Sequence, residues 1–228
     1  MDVEQAQRSR VVTIKGLLSP AEAAKVRACA SQFAETAGRD ISKSDGRWET
    51  LYLHTDGFFA RACPEILGKI TAAVVRAGAA EPSMRQLLTA RQPGEVGVRC
   101  IEYHEVRPRG SLADLKHYDI GSLLTVDIML SEPGDFGGGE FSTLEPDGKL
   151  LEQAAFNGDA TGDALLFVSH KYHCVQPVIS GLRRVLVMEF WVGPDRQCEH
   201  RCDTCPTRPC RYRFNPELAT MYGTYDDY

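Results

Sequence analysis

The sequence contains no apolar run near the roughly 20 residues that a helix needs to cross a bilayer, so no transmembrane helix is expected. It also lacks an excess of basic residues: 26 Lys and Arg stand against 31 Asp and Glu, a net charge of -5. We therefore expect no membrane as a partner, and the overall charge gives no strong evidence for nucleic acid. The first residues, MDVEQAQRSR, lack the apolar stretch of a signal peptide, which predicts a cytoplasmic or nuclear location.

Signals of several other protein classes are missing as well. The glycine run 137–139 is not followed by a helix that begins with Lys and Ser or Thr, so it is not a phosphate-binding loop. A tight turn and a bulge are enough to explain it. The chain has no internal repeat. With 43% hydrophobic and 25% charged residues among 228, it has the composition of an ordinary globular protein.

The first half of the chain predicts helices. A short strand at 11–18 precedes a helix over 19–33, which opens with a capping box formed by Ser19 and Glu22 around Pro20. A second helix is predicted over 59–79 from its apolar periodicity. The residues between the two helices, 37–57, are rich in Gly, Asp and Ser and predict a long mobile loop, a candidate lid.

The second half changes to short strands separated by Gly, Pro and Asp. Eight strands are predicted, at 97–105, 114–119, 122–130, 139–144, 149–156, 164–169, 173–179 and 183–192. So many short strands with turn signals between them indicate a sandwich or a small barrel. The predicted fold class is α+β, mainly β, with the N-terminal helices packed against a β core.

The cysteines divide the chain into a main domain, 1–193, and a Cys-rich tail, 194–228. Four scattered cysteines are typical of small buried hydrophobic residues: Cys29, Cys63, Cys100 and Cys174. The tail has four more, and they could bind a structural zinc ion or form two disulfides: Cys198, Cys202, Cys205 and Cys210. His200 could replace one thiol. The tail is also locally basic, which predicts a solvated surface or, alternatively, contact with an acidic partner or RNA.

Two histidines and an aspartate form the candidate metal site. His117 and Asp119 are two residues apart, so on a strand their side chains share a face. His173 follows 56 residues later. Two imidazoles and one carboxylate can occupy one face of an octahedral ion and leave the other positions open, as in non-haem Fe(II) sites. His170 is a weaker candidate, and the second H-x-D, at 54–56, is predicted to be a solvated polar turn.

A buried cation is expected ten residues after His173. Arg183 opens the strand RRVLVMEFW, where alternation places it on one face with Val185, Val187 and Glu189. A guanidinium inside a barrel needs an anionic partner. The carboxylate of a dicarboxylic cosubstrate would satisfy it. The residue ten positions after His170 is Ser180, which could not bind a carboxylate in this way, so His173 is preferred as the ligand.

The sequence resembles the Fe(II)/2-oxoglutarate-dependent dioxygenases of the prolyl 4-hydroxylase type. The resemblance covers about residues 11–193 and rests on four stretches in the family's order: HYD at 117–119, GGGEF at 137–141, GDALLF at 162–167 and HCVQPVISGLRR at 173–184. It implies a double-stranded β-helix, or jelly-roll, with His117, Asp119 and His173 as iron ligands.

The resemblance also implies the cosubstrate contacts. Arg183 would hold the distal carboxylate of 2-oxoglutarate, Tyr103 would hydrogen-bond the same group, and Thr125 falls where a cosubstrate-contacting threonine is found. The link between Tyr103 and His117 is longer than is usual in the family. Because it borders the expected substrate entrance, the resemblance does not fix the substrate geometry.

In this family Fe(II) is the metal, 2-oxoglutarate and O₂ are cosubstrates, and ascorbate is the expected reductant. The resemblance implies hydroxylation of a prolyl or similar residue in a peptide or protein, with release of succinate and CO₂. One alternative substrate is a free amino acid or another small metabolite. A second alternative is a non-catalytic binding module on an oxygenase scaffold, with the tail as the recognition element.

Overall fold

The computed structural model describes residues 3–37, 40–41, 46–89, 95–156 and 161–202. Its helices are α1 (Val3–Arg8), α2 (Pro20–Ala37), α3 (Phe58–Ala62), α4 (Pro64–Ala80) and α5 (Pro82–Thr89). Its strands are β1 (Val12–Ile14), β2 (Asp40–Ile41), β3 (Trp48–Tyr52), β4 (Val96–Val106), β5 (Leu112–His117), β6 (Leu124–Met129), β7 (Phe136–Gly138), β8 (Phe141–Leu144), β9 (Leu150–Glu152), β10 (Ala164–Val168), β11 (His173–Val175), β12 (Val178–Gly181) and β13 (Arg183–Val192).

The helices begin where the sequence signals them. The predicted capping box is present at the start of α2: the amide of Ser19 donates to Glu22 Oε2 at 2.7 Å, and the amide of Glu22 donates to Ser19 Oγ at 3.3 Å. The single helix predicted over 59–79 is two helices, α3 and α4. The break lies at Cys63, just before Pro64, because proline favours the first turn of a helix and is unfavourable further in.

The strands form a large and a small sheet that face one another, and β12 and β7 pair in a separate two-stranded sheet. The large sheet has the order β1-β10-β6-β13-β4-β3-β2, and the small sheet has the order β5-β11-β8-β9. Every pairing within them is antiparallel. The apolar side chains between the sheets form the inner core: Met129, Phe141, Phe156, Leu165, Phe167, Val175, Val185 and Val187. The helices pack on the opposite, outer face of the large sheet, as the predicted α+β architecture requires.

Several predicted boundaries are wrong. The stretch 48–52, expected in a mobile loop, is β3, and it pairs with β4 from Trp48↔Val106 to Tyr52↔Glu102. The strand predicted over 173–179 is two strands, β11 and β12, interrupted at Gln176 and Pro177 because proline cannot donate to a ladder. The strand predicted over 114–119 already ends at His117, so Asp119 lies in the turn that follows.

The described part of the tail, 194–202, lies against the body. The amide of Val98 donates to Asp195 Oδ1 at 2.7 Å, and the amide of Arg196 donates back to the carbonyl of Val98 at 2.9 Å. The rest of the tail, with Cys205 and Cys210, is outside the described residues. No described helix is both long and apolar enough to cross a membrane.

Candidate metal centre

The two imidazoles and the carboxylate predicted as metal ligands lie together. His117 ends β5 and pairs across the small sheet with His173, which begins β11. Asp119 Oδ1 lies 3.4 Å from His117 Nε2 and 4.0 Å from His173 Nε2. Two atoms bound to one ion at about 2.1 Å each can be at most about 4.2 Å apart, so both distances allow a shared metal ion.

Asp119 is held in place from two sides. Its amide donates to the carbonyl of Ser169 at 2.8 Å, and Thr125 Oγ1 donates to Asp119 Oδ2 at 2.7 Å. Since the hydroxyl proton of Thr125 is used in this way, the 2.9 Å contact between the two hydroxyls has Ser169 as the donor. Thr125, predicted to touch a cosubstrate, is therefore engaged in orienting the carboxylate of Asp119.

His173 is prepared to bind a metal through Nε2. Its Nδ1 lies 2.9 Å from the carbonyl of Lys171, which accepts the Nδ1 proton and leaves the lone pair on Nε2. Phe141 stacks on the imidazole with ring centroids 5.4 Å apart. Burial lowers the pKa of His173 to about 4, so the imidazole is neutral at neutral pH. His170 is not part of this cluster.

A tail arginine reaches the same carboxylate. Arg201 Nη2 lies 2.9 Å from Asp119 Oδ1, Arg201 Nε lies 3.4 Å from Glu102 Oε1, and the guanidinium also contacts Glu189. On the other side, Arg99 Nη1 lies 3.0 Å from Glu189 Oε2. Two guanidiniums thus face three carboxylates. The remaining negative charge makes the centre suitable for a cation.

The electrostatics of this cluster follow from burial and charge pairing. Burial alone would raise the pKa of Asp119, but His173, Arg201 and His117 outweigh it and hold that pKa well below its usual value. Burial would likewise raise the pKa of Glu102, and Arg201 lowers it to about 2. The three carboxylates in turn raise the pKa of Arg201 far above its usual value, against the effect of burial. The charges of Asp119, Glu102 and Arg201 are therefore fixed at neutral pH, whereas burial raises the pKa of Glu189.

Arg99 enters the cluster through a β-bulge. Along β13, Glu189 pairs with Cys100 and Phe190 pairs with Val98, so Arg99 is the extra residue of β4. A bulge redirects the side chain at its position. Here the redirected guanidinium is 2% exposed and faces Glu189.

Arg183 is the buried cation that the sequence predicts. It begins β13, it is 1% exposed, and its Nε and Nη2 have no hydrogen-bond partner among the described residues. Its guanidinium lies 5.8 Å from the ring centroid of Phe156. Burial lowers the pKa of Arg183 to about 10, which still leaves it cationic at neutral pH. Such a group requires an anionic ligand.

The glycine run contributes space beside Arg183. Gly139 has a φ of +70°, and a Cβ at this position would lie 2.9 Å from Arg183 Cδ. A side chain here would be strained by the backbone and would displace the arginine. The close approach of backbone and guanidinium is thus a structural reason for glycine at position 139.

Asp127 is a buried acid that the sequence did not single out. Its position on β6 opposite Val187 of β13 places it on the same face of the sheet as Arg183. Burial raises the pKa of Asp127 to about 8; Asp119 raises it further, and Arg183 opposes the change. At neutral pH the carboxyl is therefore mostly protonated. The only sequence signal for Asp127 was its position two residues after Thr125, which places both side chains on the same face of β6.

Tyr103 does not point toward the metal centre. It pairs with Leu186, and both residues belong to the apolar core between the large sheet and the helices. The side chains of Tyr103 and Leu186 therefore face away from Arg183. The hydroxyl of Tyr103 donates to Glu105 Oε1 at 3.2 Å. Successive side chains of a strand point to opposite faces of the sheet, and this register places Tyr103 on the face opposite to Arg183. The placement contradicts the prediction that Tyr103 binds the cosubstrate.

The second H-x-D is not a solvated turn. His54 is 2% exposed, and its Nδ1 accepts a hydrogen bond of 3.1 Å from the amide of Ile101. The ring proton is therefore on Nε2, which donates to the carbonyl of His200 at 3.2 Å. Burial lowers the pKa of His54, in keeping with a neutral ring. His54 thus connects the body to the tail.

No protein-family model matches this chain, and no curated protein matches its sequence. Solved structures do match. A Pseudomonas putida prolyl-4-hydroxylase is 16% identical, with 83% of this chain and 96% of that chain covered and a TM-score of 0.55. A Trichoplax adhaerens prolyl hydroxylase, in complex with a hypoxia inducible factor oxygen degradation domain peptide fragment, is 15% identical, with 83% and 87% covered and a TM-score of 0.54.

A third similar structure is HygX from Streptomyces hygroscopicus, with nickel and 2-oxoglutarate bound. It is 13% identical, with 89% of this chain and 91% of that chain covered and a TM-score of 0.53. In all three comparisons the likeness covers more than four fifths of this chain. This chain therefore has the double-stranded β-helix fold of the prolyl hydroxylases and related 2-oxoglutarate-Fe(II) oxygenases.

Proposed function

We propose that the protein is an Fe(II)- and 2-oxoglutarate-dependent oxygenase that hydroxylates a prolyl or similar residue in a peptide or protein. The observation that carries the proposal is the combination of two features on one sheet sandwich. One is a His-Asp-His cluster with spacing suited to a metal ion. The other is a buried guanidinium, Arg183, with two unsatisfied donor nitrogens.

Each group has a defined task in this proposal. His117, Asp119 and His173 would hold Fe(II), and Arg183 would bind the distal carboxylate of 2-oxoglutarate. The bound iron and cosubstrate supply the oxidation, in which O₂, 2-oxoglutarate and a substrate C–H give CO₂, succinate and C–OH. Phe156 lies against Arg183 and contacts Phe141, and these rings exclude water from the interior.

Three observations support a peptide as substrate. Among the described residues β5 pairs only with β11, so its other edge is open for an extended chain, and β5 ends at His117. Leu115 and Ile120, on either side of this histidine, are 44% and 57% exposed. The similar Trichoplax protein was solved with a peptide bound. A peptide laid along β5 would pass the metal centre.

The test is formation of succinate from 2-oxoglutarate by purified protein with Fe(II), ascorbate and O₂, with and without proline-containing peptides. We expect metal-dependent succinate that peptide accelerates. His117→Ala and His173→Ala should each reduce the rate by about 100-fold or more, because two ligands hold iron poorly.

His170→Ala is the matched control, since His170 lies three residues from His173 but outside the cluster. It should retain most of the activity. Succinate that does not respond to peptide would redirect the substrate to a small molecule. Failure to bind iron and 2-oxoglutarate would overturn the proposal in favour of a binding module. Activity that survives His173→Ala would overturn the assignment of the metal centre.

The affinity for 2-oxoglutarate should fall at alkaline pH. Asp127 is protonated below a pKa of about 8 and ionises above it. The new charge would attract Arg183 and repel the cosubstrate. Of the other carboxylates of the inner face, Asp119 and Glu102 are already ionised, while burial also raises the pKa of Glu189. We expect about a tenfold loss of affinity between about pH 7 and pH 9. Calorimetry without O₂, so that turnover does not interfere, measures it.

Asp127→Asn should abolish this pH dependence, because the amide does not ionise. Asp147→Asn is the control: this carboxylate is more than half exposed and pairs with Lys149 on the surface. An alkaline loss of affinity that persists in Asp127→Asn would assign the effect to another group.

A further inference from the structure

A second cluster of metal-ligating side chains lies in the tail. Cys198, His200 and Cys202 alternate along the chain, and one ligand atom from each lies within 4.8 Å of the others. Cys202 is fully buried, while Cys198 and His200 are half-buried. The cluster shares no residue with the His-Asp-His cluster.

The backbone at each of these three positions is fixed by the body. The carbonyls of His200 and Cys202 accept hydrogen bonds from side chains of the body, His54 Nε2 at 3.2 Å and Arg99 Nε at 2.7 Å. The carbonyl of Cys198 lies 3.3 Å from Thr55 Oγ1, whose proton it shares with the nearer carbonyl of Tyr52 at 2.7 Å. The neighbouring carbonyl of Gln197 accepts from the amide of Asp56 at 3.1 Å. Every donor residue is therefore held at its main chain, which is the preorganisation that a metal site requires.

The donor set favours a thiophilic ion of tetrahedral preference. Thiolate and imidazole ligands together select Zn²⁺, and structural zinc sites are closed by four protein ligands. A disulfide between the two cysteines would leave the imidazole of His200 without a part in the cluster. The sequence offers Cys205 and Cys210 for the fourth position.

The third group of ligand-type side chains, Cys100, Glu102 and Glu189, does not compete as a site. Its carboxylates are already paired with Arg99 and Arg201. Burial raises the pKa of the Cys100 thiol well above its usual value, so this thiol remains protonated. Of these clusters in the described part of the chain, the tail cluster is therefore the one suited to supply thiolate donors to a soft metal.

We propose that Cys198, His200 and Cys202 bind a structural zinc ion that positions Arg201. This arginine lies between two of the ligands, and its guanidinium extends to Asp119, Glu102 and Glu189. Coordination of zinc by His200 and Cys202, on either side of Arg201, fixes the main chain of this arginine. The ion binds as Zn²⁺ while the thiols release their protons, with no change of oxidation state.

The first measurement is the metal content of the full-length protein purified without chelator. We expect about one zinc per chain, retained in His117→Ala and lost in Cys198→Ser and in Cys202→Ser. Cys174→Ser, which removes a buried thiol on β11, is the matched control and should keep its zinc. Cys205→Ser and Cys210→Ser identify the fourth ligand. Because zinc is counted in the His117→Ala background, the result does not depend on oxygenase activity.

The second measurement uses only the wild-type protein, so its outcome does not depend on whether a variant folds. Unfolded wild type refolded with Co²⁺ should show the visible bands of a tetrahedral thiolate site, and excess Zn²⁺ should remove them. Wild type without zinc and without these bands would overturn the proposal. So would zinc retained in both Cys198→Ser and Cys202→Ser, or an intact mass showing that the tail cysteines form two disulfides.

The link to Arg201 is tested by a double-mutant cycle. Removal of zinc should lower the melting temperature of the wild type, and the decrease should be clearly smaller in Arg201→Ala, because the ion then has no guanidinium to position. In Arg107→Ala, an exposed arginine with two carboxylate neighbours, the decrease should equal that of the wild type. Equal decreases in all three proteins would contradict the positioning role.

Discussion

Replacing Arg201 with alanine should lower the free energy of unfolding by about 3–5 kcal/mol, the usual cost of leaving a buried charge without its partner. Three carboxylates depend on this guanidinium: Asp119, Glu102 and Glu189 are 2%, 6% and 0% exposed. Urea denaturation of the full-length protein measures the change. Arg201→Lys should recover part of the loss, since it restores the charge without the planar fork.

Arg107→Ala is the matched control for this prediction. Arg107 contacts Glu49 and Glu105 at 3.4 Å each, but its side chain is 40% exposed. Solvent screens such a pair, and its loss should cost less than about 1 kcal/mol. If both alanine variants unfolded at the same urea concentration, the buried cluster could not be the source of the stability.

The acid limb of the stability profile should respond to the same substitution. In the folded wild type the pKa of Glu102 is about 2, below its usual value, so the ionised form contributes stability that is lost as pH falls from about 4.5 toward 2. Without Arg201 the pKa of Glu102 rises, because burial is then opposed mainly by His104. The same loss of stability should begin at a higher pH in Arg201→Ala.

Replacing Arg183 with methionine should have opposite effects on ligand binding and on stability. The affinity for 2-oxoglutarate should fall by about 100-fold or more, since the carboxylate loses its buried cationic partner. The free energy of unfolding should be unchanged or higher, because the wild-type guanidinium is 1% exposed with two unsatisfied nitrogens. Calorimetry with 2-oxoglutarate and urea denaturation measure the two effects.

Arg184→Met is the control, because Arg184 follows Arg183 on β13 and its side chain points to the opposite face of the large sheet. Arg184 Nε lies 3.3 Å from Glu105 Oε1, on the outer side of the sheet. This substitution should leave the affinity for 2-oxoglutarate unchanged and cost a little stability. Loss of affinity in Arg184→Met but not in Arg183→Met would refute the assignment of the two faces.

The parts of the centre that could be predicted depend on residues that lie near one another in the sequence. The 10-residue strand β13 is buried along almost its whole length, as the apolar run RRVLVMEFW indicates, and the two-residue period of a strand places Arg183 on the same face as Val185 and Val187. His117 and Asp119 are close in sequence and therefore close in space. His173 was found by its distance from Arg183 along the chain, and it does join them.

The parts that the sequence did not predict depend on pairing between distant strands. Whether Tyr103 or its neighbours face Arg183 is decided by the register Leu186↔Tyr103, which one strand alone cannot specify. The stretch 48–52 follows residues with loop-like composition and becomes a strand only because β4 is available to pair with it. The raised pKa of Asp127 results from its burial between the two sheets, and the pattern of neighbouring residues in the sequence does not predict that burial.

The tail shows the same limit most clearly. Arg201 lies among basic residues in a polar segment, and the sequence favours a solvated surface for it. Its side chain is 18% exposed and surrounded by carboxylates of the body. The acidic partner considered for the basic tail is, for this residue, another part of the same chain.

This arrangement has a consequence for the order of events during synthesis. His117, Asp119 and His173 all leave the ribosome before Arg201, and domains generally begin to fold from the N-terminal side as they emerge. A nascent chain that has released β13 but not the tail holds its acidic cluster without Arg201. Completion of the centre therefore waits until the segment that carries Arg201 has left the ribosome, and the sandwich is expected to become fully stable only then.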